Sequence, residues 1–170
     1  MVKNWLVAGM AGVALLAACS PGESATARAQ APAAQAAASA RHPVSGLAVI
    51  DLVVERGGKK LPFKVELADP PEAQARGLMF RAELGDNEGM IFPSAVPQPR
   101  SFWMKNTPLS LDIIFIGPDG RIANIAANTV PYSLDPVMSK GPASGVLELR
   151  AGRAKELGIV AGDRVLYTLP

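Results

Sequence analysis

From about residue 47 onward, apolar and polar positions fall into short runs separated by Gly and Pro clusters, the rhythm of a β-rich chain. Leu61, Phe63, Val65 and Leu67 alternate with Pro62, Lys64, Glu66 and Ala68, which predicts a strand with one buried face. Joined to an apolar run over 47–55 through Arg56-Gly57-Gly58-Lys59, it reads as a hairpin. Asp69-Pro70-Pro71-Glu72 offers an N-cap, a proline at the first helical position and an early acid, predicting a short helix to about residue 78. Strand signals return at 89–92. Residues 109–116 are apolar on both faces, the pattern of a central strand covered on both sides. The turn Pro118-Asp119-Gly120 sends the chain back through 121–127. Pro131, Pro136, Gly141 and Pro142 mark 128–144 as a long loop, and loops of that length in a small domain are disproportionately functional. A strand at 145–149, a short helix at 152–157 closed by Gly158, and a last strand at 163–169 follow. Six or seven strands and two brief helices predict a mostly β fold over 44–170, a single compact β-sandwich or barrel-like domain.

The first 43 residues have a different pattern. Lys3, an apolar run over 5–18 and small residues before Cys19 have the anatomy of a secretory signal, too short for a comfortable membrane span. Leu16-Ala17-Ala18-Cys19 resembles the bacterial lipoprotein box, in which the cysteine is lipidated and becomes the first mature residue. An ordinary cleaved signal with an incidental cysteine is the alternative. Ser20 resembles the pattern sent to the outer membrane. Residues 20–43 are rich in Ala and Pro with no apolar face to dock, so they read as a tether, spanning on the order of 25 Å as a coil. The expected location is the cell envelope, facing the periplasm, with the membrane itself as a partner.

Composition narrows the chemistry. Cys19 is the only cysteine, so the domain has no disulfide and no cysteine-based metal site. The only histidine, His42, falls in the segment read as tether, which argues against histidine-based zinc and Ser-His-Asp systems within the domain. No metal or cofactor is expected. Across 44–170, 6 Lys and 8 Arg balance 14 Asp and Glu, so no basic stripe points to nucleic acid.

One segment concentrates the remaining chemistry. Phe102-Trp103-Met104-Lys105-Asn106-Thr107 runs into Leu111-Asp112-Ile113-Ile114-Phe115, where a lone carboxylate among apolar neighbours demands a partner. These motifs, with Arg76-Gly77-Leu78-Met79, Gly89-Met90-Ile91-Phe92 and Val146-Leu147-Glu148-Leu149 in the same order, resemble the bacterial and archaeal domain of unknown function 192 family over nearly all of 60–170. The resemblance implies a single mostly β domain, often exported or tethered, and it assigns no activity.

A ligand site is expected from Arg76, Met79, Trp103, Met104, Lys105, Asn106 and Asp112. Arg76 and Lys105 offer charge to an anion, Trp103 a stacking surface, and the methionines an apolar wall. Core packing and solvated surface charge are the plain alternatives for each. Arg76 pairing with Asp112 or Glu148 is a further one. The favoured role is a small-ligand or glycan binding or accessory module. Asp112 and Glu148 are the candidate catalytic pair for a second role, a carboxylate-dependent hydrolase of envelope polysaccharide. A third is a purely structural or protein-interaction domain.

Overall fold

A computed structural model describes residues 40–170. The segments read above as signal and tether, with Cys19, lie outside the described residues up to residue 39. Residues 40–43, assigned above to the tether, belong to the fold. The Val49 amide donates to the Ala40 carbonyl at 2.7 Å and Arg41 bridges to Ala48.

Seven strands make one sheet: β1 (Val49–Arg56), β2 (Lys59–Leu67), β3 (Glu88–Phe102), β4 (Leu111–Ile116), β5 (Ile122–Ala126), β6 (Val137–Arg150) and β7 (Arg164–Tyr167). Two short helices, α1 (Pro71–Arg76) and α2 (Arg153–Leu157), complete the described elements. The spatial order is β5-β4-β6-β3-β2-β1-β7, and only the β2–β3 neighbours are parallel. The sheet curls into a half-barrel whose outer strands meet at one end through a bridge between Arg121 and Arg164.

Side chains alternate across a strand, so the curled sheet carries two cores. One face packs Leu52, Val54, Phe63, Val65, Ile91, Ile114, Leu147, Leu149 and Val165 with Ala154 of α2. The other packs Met90, Phe92, Ile113, Phe115 and Val146 against Leu78, Leu84 and Met104 from the loops after α1 and β3. The central strand β4 is buried along its whole length, as its apolar run predicts.

Two predictions need correction. The segment 137–144 is strand rather than loop: it pairs with the distal half of β3, with Gln98 opposite Ala143 and Phe102 opposite Val137. Its alternation is lost because most of this ribbon is exposed, and register shifts between Pro93 and Gln98 and between Pro99 and Ser101 absorb its prolines. Helix α1 is capped by Pro70 with no side-chain hydrogen bond, so Asp69 does not serve as its N-cap.

Candidate functional site

The two carboxyl groups that looked equivalent in sequence stand on opposite faces of the sheet. In the β4–β6 ladder Asp112 pairs with Leu149 and Ile113 with Glu148, so a one-residue offset sends the two side chains through the sheet in opposite directions. They cannot act on one glycosidic bond, and the hydrolase pair is withdrawn on that ground.

Asp112, fully buried, accepts from three backbone amides: Asn128 at 3.0 Å and Gly152 at 3.1 Å on Oδ1, and Ala154 at 2.9 Å on Oδ2. It ties the end of β5 and the start of α2 to the sheet, which is the partner its desolvation demanded. Asp112 is therefore outside the candidate ligand site. Neither it nor Glu148 is paired with Arg76.

Glu148 faces the other way, in the row Met90–Glu148–Ile113, with Val146 and Phe92 in the adjacent row. Its side chain is nine-tenths buried or more, at 5% residue exposure. Among the described residues it has neither a hydrogen-bond nor an ion-pair partner. Burial pushes its carboxyl up from 4.5 to about 8. The carboxyl oxygens are not sealed in the core; the residue lines a cavity of about 360 Å³. Close approach of β3 to β6 at this row depends on Gly89, where a Cβ would lie 2.5 Å from the Glu148 carbonyl oxygen.

The cavity lies between the end of α1 with its following loop, the distal half of β3, and the 103–107 loop. Arg76, Met79, Trp103 and Met104 line it together with Glu148. The chain reverses after α1 through Gly77, φ 51°, which brings Leu78 into the core and leaves Arg76 at the cavity edge. Arg76 is exposed and, among the described residues, makes no ion pair. Trp103 is half exposed, and the Lys105 Nζ sits 5.1 Å from its ring centroid. Met104 is buried, and its sulfur accepts the Thr129 hydroxyl at 3.2 Å, so it serves as wall and core together. Asn106 does not line the cavity. Its amide lies 3.9 Å from the Met79 sulfur and its backbone carbonyl accepts from the Phe80 amide at 2.8 Å.

Unfavourable backbone occurs in the loops next to the cavity wall, at residues that do not themselves line it. Phe80, Asn106 and Tyr132 all hold left-handed φ, at 62°, 54° and 62°. The loops that carry them are cross-linked, Phe80 to Asn106 and the Tyr132 amide to the Thr107 carbonyl at 3.1 Å. Left-handed backbone at bulky residues is rare and persists only where surroundings enforce it.

A profile of the domain of unknown function 192 family, described as Uncharacterized ACR, matches residues 52–167. The chain belongs to that family. A crystal structure of a protein of unknown function from Novosphingobium aromaticivorans DSM 12444 is 50% identical, with a TM-score of 0.74, covering 81% of this chain and 98% of that one. The structure of a candidate transcription regulator from Sinorhizobium meliloti 1021 is 38% identical, with a TM-score of 0.69, covering 71% and 95% respectively. Among curated proteins none matches.

In this family member, sequence reasoning overlooked Gln74 as a cavity residue and did not single out Arg100, at the start of the segment where it placed the site. Arg100 donates to the Gln74 Oε1 at 3.1 Å, Gln74 donates onward to the Pro93 carbonyl at 3.1 Å, and the guanidinium lies 5.6 Å from the Phe102 ring centroid. Burial lowers the Arg100 pKa from its ordinary value, though a guanidinium keeps its charge. Nothing local marks Gln74 on a six-residue helix as a site residue; only the packing of α1 against β3 does. His42, read as tether, instead sits 3.6 Å from buried Glu66, which also pairs with Arg81 at 2.9 Å and accepts from Ser45. That cluster is self-satisfied and lies outside the cavity.

Proposed function

We propose that this domain is a small-molecule-binding module, and that an exported, lipid-anchored chain holds it at the periplasmic face of the envelope. Export and anchoring rest on the sequence pattern around Cys19. Binding rests on one observation above all: a carboxyl group buried in an apolar sheet face, left without a protein partner among the described residues and open to a cavity. The carboxyl oxygens are accessible from the cavity, so a ligand's polar group can reach them where the chain itself supplies no partner. The mixed apolar and polar lining supports the same reading.

The test uses the full-length chain and a library of water-soluble metabolites read by thermal shift. Ala75 is exposed on α1 and lines the cavity, so Ala75→Trp fills the mouth without touching the core. A ligand present at about a hundred times its Kd stabilises by about 2.7 kcal/mol, a shift of several degrees for a domain of this size. We expect at least one compound to shift the parent and not Ala75→Trp. Hits that shift both proteins equally, or no hits, would remove the reading.

A second reading, protein interaction, draws on the exposed apolar residues Val130, Tyr132, Leu134 and Met138 beside the cavity mouth. A pulled-down envelope protein whose binding is lost in Leu134→Asp and kept in Ala75→Trp would favour it.

A further inference from the structure

We infer, resting on the cavity being a binding site, that its ligand is a sugar acid: a single hydroxylated ring carrying a carboxylate. Three independent features of the lining lead there, and no simpler class of molecule answers all of them.

The first is charge. Arg76 and Arg100 both line the cavity; Lys105 does not, but its ammonium stands 5.1 Å from the ring centroid of Trp103, which does. Glu148 is the only acidic residue in the lining, and burial keeps its carboxyl protonated around neutrality. The site therefore carries an excess of positive charge. Arg100 spends one nitrogen on Gln74 and is held in place by it, while Arg76 makes no ion pair among the described residues. A guanidinium fork matches a carboxylate in two parallel hydrogen bonds. Inorganic phosphate shares that chemistry and is the main competitor.

The second feature is surface. Trp103 is 50% exposed at the mouth, and Phe102 and Met79 also line the cavity. The Lys105 ammonium covers one face of the indole, 5.1 Å from its centroid, and leaves the other face free of it. An exposed aromatic face offers a flat apolar platform, and the C–H face of a pyranose ring is its complement. Phosphate or acetate leaves this platform unused.

The third feature is Glu148 itself. A protonated carboxyl donates one hydrogen bond and accepts another, and a ring hydroxyl answers both. An ammonium group would instead require an ionised carboxylate in the apolar row of Met90 and Ile113, within a site that already repels cations. A wholly apolar ligand would leave Glu148 unpaired. The volume, about 360 Å³, is near the low end of small-molecule sites and suits one ring better than a chain of them.

The test is isothermal titration of the full-length chain with D-glucuronate and D-galacturonate, set beside D-glucose, acetate and inorganic phosphate. We expect at least one uronate to bind with a Kd tenfold or more below those of glucose, acetate and phosphate. Arg76→Gln should raise that Kd at least tenfold. Arg76 is exposed and unpaired among the described residues, so the substitution leaves the fold intact, and an unchanged melting temperature checks this. Ala75→Trp should abolish the binding. Phosphate or acetate binding as tightly as the uronates would reduce the site to an anion hole and overturn the proposal. Glucose binding as tightly would do the same by making the carboxylate irrelevant. Uronates that fail while other compounds still bind and are blocked by Ala75→Trp would overturn the sugar acid and leave the binding reading standing. No cavity ligand of any kind would defeat both.

Discussion

Glu148→Gln should make this protein more stable at alkaline pH, and the gain should vanish in acid. In the unfolded chain the Glu148 carboxyl titrates near its ordinary 4.5, whereas in the folded protein burial holds it protonated up to about 8. Between those values the folded state keeps a proton that the unfolded state has released. Stability therefore falls as pH rises from about 4.5 to 8 and levels off above that range. At about 1.4 kcal/mol per pH unit the full span amounts to about 5 kcal/mol, and solvent reaching the carboxyl through the cavity brings this to on the order of 3–5 kcal/mol. Glutamine keeps the shape, stays neutral and removes the titration. Every other titrating group is common to both proteins and cancels in their difference. Urea unfolding followed by circular dichroism at intervals from pH 4 to 9 measures that difference directly. It should be near constant below pH 4.5, climb through neutrality and reach a plateau above 8. Any cost of fitting the amide is independent of pH, so it moves the curve without changing its slope. A difference that stays flat from pH 4 to 9, or slopes the other way, would refute the claim that Glu148 is buried without a partner.

Two further substitutions probe the framework around the site. Asp112→Ala strands the amides of Asn128, Gly152 and Ala154 and should cost about 3–5 kcal/mol in urea unfolding; a loss under about 1 kcal/mol would show that Asp112 is no clamp. Phe80→Gly removes an exposed ring from left-handed backbone, a conformation costing about 1–2 kcal/mol for an L-residue, against roughly 0.4–1 kcal/mol of added freedom in the unfolded chain. Stability should stay level or rise by about 1 kcal/mol, and a clear loss would mean that the ring packs against something important to the fold.

The parts of this fold that were legible in the sequence are those whose signal is local. The β1–β2 hairpin announces itself through an apolar run and a strictly alternating one on either side of Gly57-Gly58, β4 through its apolar run, and the end of α2 through Gly158, which takes the left-handed φ of 69° that closes a helix. The distal β3–β6 ribbon carries no such signal. With most of its residues exposed it has no buried row to mark every second residue, and Pro97, Pro99 and Pro142 argue against strand until register shifts are known. The Phe102 to Asn106 segment drew notice through its residue types alone, but its aromatic, cationic and sulfur-bearing members divide between cavity, rim and core only once the 130–134 loop packs beside it.

The two carboxyl groups show where sequence reading stops and why. Asp112 and Glu148 each sit alone in an apolar strand, and in sequence each poses the same question of what compensates its burial. The answer depends on two facts that no local pattern holds. One is strand register: pairing Asp112 with Leu149 rather than with Glu148 puts the groups on opposite faces. The other is which distant backbone arrives at each face. Asp112 meets amides that lie 16 to 42 residues further along the chain, and they turn its charge into a clamp. On the far side the 77–79 and 102–104 segments cover the core beside Glu148 but bring it no donor, leaving a cavity where the partner would be. The same physical demand is met from within the chain in one case and left open in the other. That difference, rather than the residue type, is what makes Glu148 the place to look for a ligand.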